Sequence, residues 1–306
     1  MTMNYSSENE TNHEHKYTGY YDRRRTIRIK RSGLRRSELE QLDRPALKFA
    51  ETNDELEQLF RLVYEVYRQK NLVSHNENGM LYNIYSLLPS TTHVIAKSYQ
   101  DVISNLTEIF DNKYFGLPMD ELYKEELDVL RNEGRNVTEL SALATPKEHR
   151  WKNIFHYLVQ VVYWYSFYTN VDDICISINP RHVRYYMYLF PFERFGPERY
   201  YERVGAPAIG LRVKVKEIVD RMQEICNDLN FDTSLLDYFK RINDGVSQHD
   251  ISEVETNNQE IVFHKRLNTQ IVKYFVQLNP QILSELDKQQ KDKFSEYYPG
   301  LHLPDF

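Results

Sequence analysis

Apolar residues first settle into a regular rhythm at Leu56, Phe60, Val63, Tyr64 and Tyr67. That spacing predicts a helix burying one face. Thr52 precedes it with Glu55 three residues on, a capping box. Residues 47–50 read as a short strand before it, Asn78-Gly79 as a turn after it, and 82–88 as a second short helix. Residues 93–97 and 102–110 read as two strands joined by a tight connection, hence an antiparallel hairpin. An insert at 111–135 has helical spacing at Leu122, Leu127 and Leu130, with Gly134 as its stop. Residues 136–144 are a strand, 151–168 a long apolar helix and 174–178 a β-branched strand. Residues 182–189 form a short tyrosine-rich helix, and 200–215 one or two strands around Gly205 and Pro207. This order predicts an α/β (α+β) fold, a mixed central sheet flanked by helices.

The ends differ from the middle. Residues 1–45 form a basic, partly disordered arm: between positions 22 and 36 there are eight Arg/Lys and one Asp. The arm is a solvated tail or a handle for an acidic partner. Residues 46–215 carry the sheet, and 216–306 read as a helical C-terminal extension, with Ile271, Phe275 and Leu278 at helical spacing.

Composition narrows the function. The net charge of −6 over 306 residues argues against a general nucleic-acid binder. Two separated cysteines give neither a disulfide framework nor a zinc site, and the ten histidines are scattered, so no metal is expected. The uncharged run 153–171 contains His156, Gln160 and Asn170 and reads as a buried helix rather than a transmembrane span. With no apolar leader at the N-terminus, a cytoplasmic protein is expected. Against 24 Tyr there are only 10 Gly, which disfavours a glycine-rich phosphate loop.

Four segments carry a family resemblance: Arg61-Leu-Val-Tyr-Glu-Val-Tyr67, Gly116-Leu-Pro-Met-Asp-Glu-Leu-Tyr123, Val137-Thr-Glu-Leu-Ser-Ala-Leu-Ala144, and Ile178-Asn-Pro-Arg-His-Val-Arg-Tyr-Tyr186 with Gly205-Ala-Pro-Ala208. In this order they resemble FeeM-type N-acyl amino acid synthases, of the branch of the GNAT N-acyltransferase superfamily that also holds acyl-homoserine lactone synthases. Val63 and Ala142 stand where lactone synthases carry arginine, which disfavours that branch. The resemblance implies a GNAT-like fold and an enzyme that moves a long-chain acyl group from acyl-carrier protein to the α-amino group of an amino acid. It implies a thioester donor and no bound cofactor. Residues 145–152 contain no glycine, so their backbone approaches a pyrophosphate less closely than the usual coenzyme A loop. The alternatives are an acetyl- or acyl-CoA-dependent GNAT acyltransferase and a non-enzymatic GNAT-like binding protein.

The resemblance also assigns roles. Glu139, a carboxylate among apolar neighbours on the central strand, is the base, since desolvation raises its pKa; the alternative is a strand-end carboxylate bonded to an arginine. Ser141, two residues on, shares its face if pairing is regular and binds substrate, or is satisfied by backbone. Tyr185 or Tyr186 protonates the leaving thiolate, or both fill the core. Lys147, His149, Arg150 and Lys152, where a helix begins, hold the phosphopantetheine phosphate or the carrier's acidic surface, or are simply solvated. Phe115, Leu117, Met119, Leu122 and Tyr123 of the insert line an acyl tunnel, or pack the insert onto the sheet.

Overall fold

The computed structural model describes residues 45–152, 154–218, 220–221 and 267–301. The basic segment 22–36 and, within the expected helical extension, residues 219 and 222–266 lie outside the described residues. In chain order the elements are β1 (Pro45–Phe49), α1 (Asn53–Arg68), β2 (Thr92–Ser98), β3 (Asp101–Phe110), α2 (Asp120–Asn132) and β4 (Val137–Ala144). Then come α3 (Ile154–Tyr168), β5 (Asp173–Ile178), α4 (Val183–Leu189), β6 (Glu193–Tyr201), β7 (Ala206–Lys214), α5 (Thr269–Leu278) and α6 (Lys288–Tyr297). Short 3-10 turns at Ile84–Leu87, Lys147–Lys152 and Pro180–His182 link them.

Local signals set several boundaries. The Thr52–Glu55 capping box forms in both directions. Past α2, Gly134 adopts φ +70°, its N–H donates to Arg131 O and that of Arg135 to Leu130 O, a Schellman stop. Of the one or two strands expected over 200–215 there are two, and β6 begins earlier, at Glu193. Pro197 and an exposed polar face hide it, because edge strands tolerate both.

The seven strands run in the order β1-β2-β3-β4-β5-β7-β6. Every neighbouring pair is antiparallel except β4 and β5, which are parallel. This is the mixed, helix-flanked sheet expected from the order of elements. One face is covered by α3, whose Ile154, Leu158 and Val162 pack on Val94, Ala96, Ile103 and Leu106. The other face is covered by α1 and α2. Residues 267–301 join that second layer: Val272, Phe275, Leu283 and Phe294 share one core with Leu56, Leu59, Phe60, Tyr82 and Leu87. Phe275 meets Phe60 and Tyr82 at ring centroid distances of 5.1 and 5.3 Å. The Tyr82 hydroxyl donates to Phe275 O at 2.7 Å and that of Tyr298 to Leu87 O at 2.5 Å.

Tyr123 anchors the insert on the sheet. At a kink in α2, it is fully buried, and its hydroxyl lies 3.0 Å from both Pro197 O and Ala208 O. Gly196 and Gly210 make room for its ring: a Cβ at Gly196 would lie 2.5 Å from it, one at Gly210 3.2 Å.

Candidate active site

β4 pairs with β3 from Thr138 to Ala144, but with β5 only at Val137, Thr138 and Glu139. From Ile176 to Ile178, β5 pairs with β7 alone. The edge of β4 that faces β5 therefore has no strand partner from Leu140 onward. A bulge sharpens the divergence. Asn105 pairs with Ala144 and Thr107 with Ser141, so two residues of β4 oppose one of β3. Ala142, in the bulge, is left-handed at φ +51°. Its carbonyl accepts from Asn105 Nδ2 at 2.6 Å. A non-glycine residue held this way stores about 1–3 kcal/mol of strain and bends its strand. Unpaired backbone N–H groups beside a cleft are what a developing oxyanion needs.

Glu139 sits where the pairing ends, level with Ile109 on β3 and Cys175 on β5. It is 5% exposed and its Oε2 accepts from the Met119 N–H at 2.8 Å. Among the described residues no arginine or lysine forms a salt bridge to it, so the arginine-bonded alternative is not the one adopted. Burial pushes its carboxyl up to about 8; the Met119 N–H opposes this, and the Asp120 charge adds to it. Ser141 follows on the same face, since Ile109 and Thr107 pair in step with Glu139 and Ser141.

The N–H that meets Glu139 comes from a braced loop. Asn112 Oδ1 accepts from the N–H groups of Tyr114 and Phe115 at 3.1 and 3.0 Å. Gly116 turns the chain at φ +62°, and Asp120 Oδ2 accepts from Leu117 N–H at 2.7 Å. Arg131 grips Asp111 and Asp120 with bonds of 2.6–2.9 Å. Glu139 is thus positioned by the insert, twenty residues earlier in the chain, a contact with no local signature.

Tyr185 and Tyr186 lie on α4, which leaves the end of β5 next to the gap. Their rings are 5.5 Å apart and pack with Phe155, Phe190 and Phe192. Burial pushes Tyr185 up to about 12 and Tyr186 higher, helped by Tyr185 and Tyr67. Tyr67, the last aromatic of the helical rhythm of α1, packs on the same core as Ala142, and burial raises it to about 12. All three phenols are protonated at neutral pH. Tyr85 and Tyr201 are each raised to about 12, by burial and then by nearby carboxylates that include Glu139. Sequence reasoning places Tyr67 on the apolar face of a helix and in a resemblance segment, without a role, and does not single out Tyr85 or Tyr201.

The remaining expected groups are dispersed. Lys147 is exposed and His149 half-buried; the side chains of Arg150 and Lys152 lie outside the described residues. Phe115, Leu117, Met119 and Tyr123 are buried in packed clusters, with Leu122 against them. An apolar cavity of about 30 Å³ lies instead on the opposite face of the sheet, behind Leu140, walled by Val159, Val162, Ile174, Phe190 and Val213. Among the described residues no group of three His, Cys, Asp or Glu is placed to hold a metal, and no helix is long and apolar enough to cross a membrane.

The model of the N-acyl amino acid synthase FeeM family matches residues 58–214, just over half of the chain. The chain belongs to this family. The FeeM-family segment spans α1 through β7 and includes Glu139, Tyr185 and Tyr186. A solved structure of FeeM, an N-acyl amino acid synthase from uncultured soil microbes, superposes with a TM-score of 0.53 at 25% identity, over 58% of this chain and 96% of that one. The acyl-homoserine lactone synthase LasI aligns at 16% identity and a TM-score of 0.45, over 56% and 91%. An acyl-CoA N-acyltransferase from Pseudomonas aeruginosa aligns at 19% and 0.38, over 56% and 98%. Among curated proteins no sequence relative matches. The FeeM-family chain described here has a GNAT-like fold and is an N-acyltransferase. Residues 267–301, which complete its core, lie beyond the matched segment.

Proposed function

We propose that the protein transfers a long-chain acyl group from acyl-carrier protein to the α-amino group of an amino acid. The observation that carries this reading is Glu139: a buried carboxyl held by one backbone N–H, raised to about 8, at the point where β4 parts from β5. An ammonium acceptor must lose a proton before it attacks, and a carboxylate with a pKa near that of the medium is an effective base. Glu139 takes the proton, and the amine nitrogen bonds to the thioester carbonyl carbon. The oxyanion so formed meets N–H groups on the free edge of β4. Collapse breaks the C–S bond, Tyr185 or Tyr186 gives the departing sulfur a proton, and the tyrosinate takes back the second proton of the newly acylated nitrogen. The products are an N-acyl amino acid and the free thiol of the carrier arm. Ser141, on the face of Glu139, contacts the substrate or the carrier arm.

Two features favour a carrier protein over coenzyme A. Residues 145–152 contain no glycine to cradle a pyrophosphate, and their cationic residues Lys147, His149, Arg150 and Lys152, with the basic arm, suit an acidic protein. The apolar cavity behind Leu140 is where the acyl chain begins; at about 30 Å³ it must widen to take a long one. The test is to incubate the protein at low salt with lauroyl- and palmitoyl-loaded acyl-carrier protein, the matching acyl-CoAs and acetyl-CoA, with mixed amino acids, and to read the products by mass spectrometry. N-acyl amino acids formed from the carrier-bound donors support the proposal. Efficient use of acetyl-CoA, with none of acyl-carrier protein, refutes it.

A further inference from the structure

The turn between β6 and β7 brings a cation close to the base. Met119, whose N–H holds Glu139, lies two residues before Glu121 in the first turn of α2. Glu121 Oε2 is 2.7 Å from Arg203 Nε, and Glu285, after α5, is 2.9 Å from Arg203 Nη2. Tyr85 and Tyr201 both feel the charges of Glu139, Glu121 and Arg203, so these five groups from four parts of the chain lie near one another.

A guanidinium there is unfavourable for an amine acceptor as such. It repels the ammonium form and gives nothing to the neutral one. It becomes favourable when the acceptor also carries an anion. Arg203 has five N–H donors, and the two ion pairs fix its plane while engaging only Nε and one side of Nη2. The residue is 54% exposed at the side chain, so its remaining edge is open to a ligand. As surface ion pairs alone, Glu121 and Glu285 contribute little to stability; as a brace they hold a fork that matches a carboxylate. We propose that Arg203 is the carboxylate anchor of the acceptor site, holding the α-carboxylate of an amino acid while its amino group lies toward Glu139 and the hydroxyls of Tyr85 and Tyr201 line the space between. The role rests on the acyl-transfer reading, and it brings Glu285, from outside the family-matched segment, to the rim of the site.

The test compares acids with their esters. Wild type, Arg203→Met and Arg203→Lys are titrated calorimetrically with L-leucine, L-phenylalanine and L-lysine and with their methyl esters, which keep the amine and lose the anion. Wild type is expected to bind at least one acid more tightly than its ester. In Arg203→Met that preference should collapse by about 10–100-fold, the size of a lost charge-assisted pair. Affinity for the ester should not fall, and Arg203→Lys should recover part of the preference. Equal preference in wild type and Arg203→Met, or no acid bound better than its ester by wild type, overturns the anchor. Turnover is measured alongside with carrier-bound donor. Absence of acyl transfer to any amine refutes the enzymatic reading, whereas the acid-to-ester ratio alone judges Arg203.

Discussion

Replacing Glu139 by Gln tests the base directly. The amide keeps the size of the carboxyl and can still accept from Met119 N–H, so the braced loop should persist, but it cannot take a proton. General-base loss typically costs about 10²–10⁴-fold. The structure also fixes the shape of the pH profile. With Glu139 raised to about 8, about one tenth of the molecules carry the base form at pH 7 and about half at pH 8. Wild-type kcat/KM should therefore climb about five-fold between those two values, and Glu139→Gln should lose that limb. Stability gives an independent check with the opposite sign. A carboxyl raised in the folded state binds its proton more tightly there than in the unfolded chain. Its contribution is fully present below about 4.5 and fades as pH rises through about 8, a change of roughly 5 kcal/mol. The Gln variant should lack this decline and unfold at a higher temperature than wild type at pH 8. A folded variant with wild-type kcat/KM and the same pH limb would refute the assignment.

The leaving-group role predicts that either Tyr185→Phe or Tyr186→Phe lowers kcat about 10²-fold with the donor KM unchanged; wild-type kcat in both would remove it. Val159→Phe puts a larger side chain into the wall of the cavity behind Leu140 and should shift the preferred acyl chain shorter, read from product masses; an unchanged product spectrum places the chain elsewhere. Phe275→Ala empties a fully buried site against Phe60 and Tyr82 and should cost about 3–5 kcal/mol of stability, measured by denaturant unfolding. A cost under about 1 kcal/mol would mean that residues 267–301 are not integral to the core.

What could be read in advance was local. The Thr52–Glu55 box and the Gly134 stop depend on residues three or four apart and were legible, as was the burial of Glu139 among apolar neighbours on β4. Each feature that completes the candidate site is tertiary. Met119 reaches Glu139 only because Arg131 and Asn112 fold the insert back on the sheet. The parting of β4 from β5 depends on how far a parallel register extends, and periodicity carries no information on that. Tyr85 reads as part of a short helix and Tyr201 and Arg203 as part of a strand, with nothing to link them until the β6–β7 hairpin packs beside α2. The insert's apolar residues suited a tunnel or a packed layer equally well, and a hydrophobic pattern does not separate the two.

The packing of α5 and α6 on α1 bears on the order in which the chain is made. The apolar stripe of α1, with Leu56, Leu59, Phe60 and Val63, emerges from the ribosome early, but part of its cover is Val272, Phe275 and Phe294, more than two hundred residues later. At roughly 5–20 residues per second of synthesis, that stripe waits ten seconds or more, on the order of the time available for aggregation or capture by a chaperone. Yield in an expressing host should therefore respond to elongation rate and chaperone supply more than the stability of the finished enzyme would suggest.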